Sequence, residues 1–453
     1  MLKERVTCDI IERVGLLQTP RRDGETLDFF SENIAPAAEQ HVLHAEAEII
    51  HTTQAIEKTA LYNQSRVLHA FQFCGVESRH FTPTTGYGYG DIGRDKLDEV
   101  FAHVFGAESA LVRPQIASAT QALALCMQGI LRPGDVLLSA SGRPYDTLES
   151  TIGIDTDPTK DNGSLKNFGI GYDEVALLDN GDLNTDAILE KLSKNDSIKM
   201  VWIQRSRGYH WRKALTIEEI GAITQHIHCA RPNVVVAIDN CYGEFCEPLE
   251  PTHVGADLIA GSLIKNPGGG IAPTGAYIAG RRGLVEQVAQ RLTAPGIGSE
   301  IGSYALGYQQ FFQGLFLAPH VVAQSLMGAA LASQVFERMG YAVLPKSAEP
   351  RSDIIQSIRF KTPGELIAFC QGIQAASPVD SKAIPEPWAM PGYQHEVIMA
   401  AGTFVQGSSI ELSADAPIKE PYTAYLQGGL TFEHCKLAMM VAVSRILNRK
   451  MEE

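Results

Sequence analysis

The chain has 453 residues, 45% of them apolar and 20% charged, with a formal net charge of −14. This is the mix of a globular protein with ample length for a large core, and its acidic balance argues against a nucleic-acid surface. No run of about 18 apolar residues offers a membrane span, the opening "MLKERVTCDIIERVG" lacks a signal-peptide core, and the eight scattered cysteines form no C-x-x-C pair, so a cytoplasmic protein with reduced thiols is expected.

Residues 1–70 read as a helical N-terminal segment, because "AEQHVLHAEAEIIHTTQAIEKTALYNQSRVLHAFQ" carries helix formers without glycine or proline. "FTPTTGYGYGDIGR" then reads as a turn-rich loop that becomes a helix near Arg94. From 110 to 280 short apolar strands alternate with amphipathic helices: "ALVRP", "SATQALALCMQGIL", "GDVLLSA", "KMVWIQ", "TIEEIGAITQHIH", "NVVVAID", "ADLIAGSL" and "GAYIAG". That alternation predicts an α/β domain over 71–296 with a mainly parallel sheet flanked by helices. Ligands of such sheets bind beyond the carboxyl ends of the strands. Residues 297–340 read as helical. Segments such as "SDIIQSIRF", "PGELIAFCQGI" and "FEHCKLAMMVAVSRIL" then complete a smaller C-terminal α+β domain within 297–453.

Several motif-like stretches lack the context their chemistry requires. Gly88-x-Gly90-x-x-Gly93 imitates a dinucleotide fingerprint, but no buried strand precedes it. "GADLIAGS" has Ser262 where a phosphate loop needs lysine. His226 and His228 fall on different faces of a helix, so no metal site is expected. "SLIK" lacks the partner motifs of a β-lactamase-type enzyme.

The informative pair is Asp239 and Lys265. Asp239 ends the β-branched run "NVVVAID", and a carboxylate leaving a buried strand needs a cation or several donors. Lys265 follows the next apolar run, in "GSLIKNPGGG". One reading is an ion pair that fixes strand register. The other is a pyridoxal-phosphate site, in which the lysine forms a Schiff base and the aspartate keeps the pyridinium protonated. Desolvation is expected to lower the pKa of such a lysine. The small-residue turn Ser118-Ala119-Thr120 opens a helix whose N-terminus suits a phosphate, although Ser118 could be an ordinary N-cap. Tyr145 in "GRPYDTLES" is placed to cover a ring, or to be a plain loop tyrosine.

In order, these stretches resemble the Cys/Met-metabolism enzymes of the fold-type-I pyridoxal-phosphate proteins, which include the cystathionine lyases and methionine γ-lyase. "IQRSRGYHWR", "PYDTLES", "GSLIKNPGGGIAPTGAYIAG" and "EPYTAYLQGGLT" look like the phrases of its methionine γ-lyase-like, or aluminium-resistance, branch. The likeness runs from about residue 20 to 445. It implies a fold-type-I transferase architecture with a seven-stranded sheet and a smaller C-terminal domain. It implies pyridoxal 5'-phosphate on Lys265, with Asp239 on the pyridinium and Tyr145 on the ring. Ala119 and Thr120 would offer N–H groups to the phosphate, and Ser262 its hydroxyl. Tyr87 or Tyr89, with Arg94 as a further candidate, would reach the phosphate of a neighbouring subunit, so a homodimer or homotetramer with shared active sites is expected. Arg205, Arg207 or Lys419 would hold the substrate carboxylate.

The sequence departs from that pattern at three places. Ile264 removes a hydroxyl from the lyases' S-x-T-K. Ala119 and Gln121 replace a glycine and a histidine. Lys419 stands for an arginine, which weakens bidentate recognition. The implied activity is elimination at a carbon–sulfur bond of an amino acid, with Lys265 moving the α-proton and Tyr145 assisting at the leaving thiol. The alternatives are γ-replacement, aldol cleavage or racemisation, or a non-catalytic stress-tolerance protein that keeps the fold.

Overall fold

The computed structural model describes residues 32–154, 162–389 and 395–452, so the first 31 residues of the expected helical segment lie outside the description. Helices α1 (Pro36–Glu48) and α2 (Ile50–Phe73) open it. Helix α3 (Ile92–Val104) begins where the Asp91 carboxylate accepts the Gly93 and Arg94 N–H groups, an N-cap at the end of the turn-rich loop.

The alternating region gives β1 (Ser109–Arg113), α4 (Ala119–Ile130), β2 (Val136–Ser139), α5 (Asp146–Ile152), β3 (Gly171–Glu174), α6 (Thr185–Lys194), β4 (Ile198–Gln204), α7 (Ile217–Ala230), β5 (Val235–Asp239), β6 (Leu258–Ser262), β7 (Ala276–Gly280) and α8 (Arg282–Leu292). Its strands form one seven-stranded sheet in the order β1-β7-β6-β5-β4-β2-β3. β7 runs antiparallel to both its neighbours, and the other pairings are parallel. Both faces are covered, which explains why β5, β6 and β7 are continuous buried runs. Val100, Phe101, Ile220 and Ile223 of α3 and α7 pack in one layer, and Leu123, Met127, Val285 and Val288 of α4 and α8 in another.

Helix α9 (Gln309–Arg338) leads to the second sheet. It is long and apolar enough to cross a membrane, yet 78% of its apolar window is buried inside the protein. The remaining elements are β8 (Ala342–Leu344), β9 (Gln356–Arg359), α10 (Pro363–Ala375), β10 (Val397–Ala400), β11 (Ser413–Pro417), β12 (Thr423–Gln427) and α11 (Phe432–Glu452). The sheet is antiparallel throughout, in the order β10-β11-β12-β9-β8. Its core takes in Ala38, Val42 and Ala45 of α1 together with Leu331 and Val335 of α9.

The strand before the lysine ends at Ser262, and Lys265 stands in a turn, just ahead of a single 3-10 turn at Asn266–Gly268. The glycines that follow are packing devices between this turn and the second half of the chain. A side chain on Gly268 would overlap the Leu263 carbonyl oxygen, and Gly269, at φ +53°, lies against the backbone of Gly314 in α9. The chain opens there so that the lysine turn can rest on that helix.

Candidate active site

The parallel registry of β4, β5 and β6 sets Gln204 beside Asp239 and Asp239 beside Ala260 at their carboxyl ends. A cavity opens there. Ala119, Thr120, Tyr145, Asp239 and Lys265 line it on the large-sheet side, with Gln204 and Tyr242, while Ile355, Asp415, Tyr425 and Gln427 come from the second half of the chain. Tyr209, on the loop after β4, lies between them: its hydroxyl donates to Asp415 Oδ2 at 3.0 Å, and its carbonyl accepts from the Tyr425 hydroxyl at 2.6 Å. The cavity is therefore assembled from both sheets.

Asp239 is buried at its strand end, and Oδ1 accepts the Cys241 N–H at 3.1 Å. Burial pushes its carboxyl pKa up, against the pull of the Lys265 ammonium. Lys265 Nζ sits 3.9 Å from the centroid of the Tyr242 ring. Burial works against its charge, but Cys241, Tyr242 and Asp239 close around it and raise its pKa above the ordinary lysine value. This direction is opposite to the lowering expected from desolvation alone, because the half-buried lysine shares its cavity with the Asp239 carboxylate. Tyr242 itself has φ +71°, a conformation that a bulky residue adopts only when its surroundings enforce it.

A family model described as "Methionine gamma-lyase" matches residues 38–447. The chain belongs to the methionine gamma-lyase family. Within that family it is similar to uncharacterized protein YnbB of Bacillus subtilis (strain 168), 48% identical over 409 residues, which are 90% of this chain and 96% of that one. It is similar to a solved carbon-sulfur lyase involved in aluminum resistance from Clostridium novyi, with a TM-score of 0.90, 50% identity, and coverage of 94% and 100%. A Clostridium acetobutylicum protein, provisionally called a cystathionine beta-lyase involved in aluminum resistance, gives 0.90 at 48% identity, over 93% and 99% of the two chains. The fold is that of the fold-type-I pyridoxal-phosphate enzymes. At 15% identity and a TM-score of 0.58, the pyridoxal-5'-phosphate dependent protein YhfS from Escherichia coli shares it, over 88% and 97% of the two chains.

The donor set of this methionine gamma-lyase family member fits pyridoxal phosphate. An amine, a buried carboxylate and the N-terminus of a 12-residue helix share one cavity wall. The Ser118 hydroxyl caps only the Gln121 N–H, at 3.1 Å, and the first-turn N–H groups of Ala119 and Thr120 have no acceptor within the helix. Gln204 contributes a buried side-chain oxygen with no hydrogen-bond partner.

The other sequence candidates stand elsewhere. Ser262 is buried, and its hydroxyl oxygen accepts the Ile264 N–H at 3.3 Å. Arg205 is bound to Asn240, Glu247 and Glu250 beneath the site. Arg207 forms a buried pair with Asp353, both Nε–Oδ2 and Nη2–Oδ1 being 3.2 Å, and donates to the Leu344 carbonyl. Lys419 is exposed and off the cavity wall, near enough to Asp146 to bias its titration. Tyr87 and Tyr89 are 68% and 73% exposed and do not line this chain's cavity. Arg94 is buried, paired with Asp95 and donating to the Gly88 carbonyl.

Sequence reasoning missed Tyr209, Tyr242, Asp415 and Gln427. Tyr242 follows "NVVVAID" by three residues, but nothing in the sequence there signals a positive φ. Tyr209 and Asp415 are 206 residues apart, and no local pattern couples them.

Proposed function

We propose that the chain is a pyridoxal-phosphate-dependent carbon–sulfur lyase acting on a sulfur-containing amino acid, in the manner of a methionine γ-lyase or cystathionine β-lyase. The observation that carries this reading is the sharing of one cavity by Lys265, Asp239 and the N-terminus of α4, in a chain half identical to a protein described as a carbon-sulfur lyase. Pyridoxal phosphate supplies an aldehyde for a lysine amine and a ring that accepts electrons. Asp239 would pair with the ring nitrogen and hold its proton. Ala119 and Thr120 would hold the phosphate through backbone N–H groups. A cation on Asp239 would also weaken that carboxylate's hold on Lys265, helping the amine lose its proton. Lys265 would then carry the α-proton of the substrate. Tyr145 would move a proton at the leaving sulfur.

Exposed Tyr87 and Tyr89, together with exposed Leu61, Tyr62, Leu68 and Phe73 on α2, support a homodimer or homotetramer in which the 82–94 loop completes a neighbour's site. We place the protein in the cytoplasm. Purified protein supplied with pyridoxal phosphate should show the visible absorbance of a lysine Schiff base, and Lys265→Ala should lose it while keeping its circular dichroism. Titration with cystathionine, methionine, homocysteine and threonine, with products assayed as thiol, keto acid and ammonia, tests the bond cleaved. Glycine and acetaldehyde from threonine, without thiol release from the others, would replace the lyase reading with aldol cleavage.

A further inference from the structure

The proposed chemistry leaves one carboxyl group in the cavity wall without a task. Asp415 lies on β11, whose pleat turns Ala414 and Ala416 into the core and leaves Asp415 on the cavity side. Its Oδ2 accepts two hydrogen bonds, from the Tyr209 hydroxyl at 3.0 Å and from Gln427 Nε2 at 3.1 Å. Among the described residues no protein donor is placed on Oδ1, and no lysine, arginine or histidine forms an ion pair with Asp415. A carboxylate held in a protein wall without a cation is costly. Burial pushes its pKa up to about 6, and the bonds from Tyr209 and Gln427 and the charge of Lys265 pull it back. The surrounding residues Ile355, Tyr209, Tyr425 and Gln427 bring no positive charge. Of the guanidiniums nearest in sequence to Tyr209, Arg207 is committed to Asp353, Arg212 to the Gln204, Ser206 and Lys213 carbonyls, and Arg205 to Glu247 and Glu250.

With Lys265, Asp239 and the α4 terminus given to the cofactor, this wall is what a substrate side chain meets. We infer that Asp415 determines specificity, through its open carboxylate oxygen, by selecting amino acids whose side chain ends in a cationic ammonium group over those ending in a neutral or anionic one. The inference narrows the proposed function away from methionine, whose side chain ends in a neutral methyl, and rests on the cavity being an amino-acid site.

The test is calorimetric binding to the holoenzyme of ornithine and norleucine, which differ by an ammonium in place of a terminal methyl. Neither contains sulfur, so the measurement does not depend on carbon–sulfur cleavage. A charge-assisted hydrogen bond should make ornithine bind about tenfold or more tightly than norleucine. Asp415→Asn keeps an acceptor for Tyr209 and should erase that preference while leaving norleucine affinity and the Schiff-base absorbance unchanged. Equal affinities in the wild type, a preference that survives Asp415→Asn, or a matching loss of norleucine binding in the variant would each overturn the inference. The last outcome would make Asp415 a support for Tyr209. If neither compound binds the wild type although the Schiff-base absorbance is present, the amino-acid reading of the cavity falls and takes this inference with it. Thiol release from a sulfur amino acid without an ornithine preference would sink the specificity role alone.

Discussion

Asp353→Asn should destabilise the fold by about 3–5 kcal/mol without altering substrate recognition. Asp353 is fully buried and faces the Arg207 guanidinium at 3.2 Å. At an effective dielectric of about 20, a pair at that distance gains roughly 5 kcal/mol. Asparagine keeps the shape and loses the charge, so the buried Arg207 remains desolvated with only neutral acceptors. The cost is compounded nearby. Burial drives the Arg351 pKa down to about 9 and the Arg212 pKa down to about 10, with Arg207 pushing both the same way and Asp353 opposing. Urea unfolding followed by tryptophan fluorescence, with the slope compared between variants, measures the change. A loss below about 1 kcal/mol would refute the assignment of Arg207 as a structural cation. Kinetics give a second reading. If Arg207 were the substrate-carboxylate ligand, freeing it from Asp353 would lower KM; the structure predicts no such gain. Adding Arg207→Met to Asp353→Asn should recover part of the lost stability, because no unpaired guanidinium then remains and the asparagine oxygen can still accept one of the Arg207 and Ile355 N–H groups that Asp353 holds.

Other outcomes follow from the same geometry. Gly268→Ala places a methyl group into the Leu263 carbonyl and should cost about 3 kcal/mol or appear as insoluble protein, read by thermal unfolding of whatever fraction is recovered. Glu244 is buried, and burial first, then the neighbouring Glu250, pushes its pKa up to about 8. A raised acid contributes stability when protonated and loses it as pH rises from its unfolded value toward about 8. Glu244→Gln should therefore gain stability relative to wild type across that window and level off above it, as followed by urea midpoints at stepped pH. Tyr87→Ala with Tyr89→Ala removes two exposed rings and should leave single-chain stability within about 0.5 kcal/mol. It should weaken pyridoxal-phosphate retention on dialysis; unchanged retention would remove the 82–94 loop from the proposed shared site.

The sequence made the large sheet legible because its strands are buried on both faces and so read as continuous apolar runs. β3 is an edge strand of sequence "GYDE", only partly buried, and its register against β2 is invisible to hydrophobic pattern. The large-sheet half of the site was readable for a related reason: Asp239 and Lys265 are polar interruptions of apolar runs, and Ser118 to Thr120 is a local helix start. The other half comes from β11, β12 and the loop after β4, where Asp415, Gln427 and Tyr209 look like ordinary residues of a mixed segment. Arg205 and Arg207 misled for the opposite reason. An arginine beside an active-site strand signals a ligand only if no carboxylate reaches it first, and Glu247, Glu250 and Asp353 lie 42, 45 and 146 residues away in the chain.

The turn after β5 shows why those arginines are placed as they are. Tyr242 and Phe245 both take positive φ, each at a cost of order 1–3 kcal/mol that a loop cannot meet alone. Beneath them Arg205 Nη1 donates to Asn240 Oδ1 at 2.8 Å, and Asn240 Nδ2 donates to Glu250 at 3.2 Å and to the Tyr277 hydroxyl at 3.2 Å. The Phe245 N–H donates to Glu250 at 2.9 Å, and Asn266, next to Lys265, donates to the Glu244 carbonyl at 2.9 Å. This connected network offsets the strain and fixes both ends of one contact, the Tyr242 ring and the lysine above it. Arg205 therefore acts on the site through the backbone that holds Tyr242 and Asn266, so a change there should disturb the placement of Lys265 before it disturbs any substrate contact.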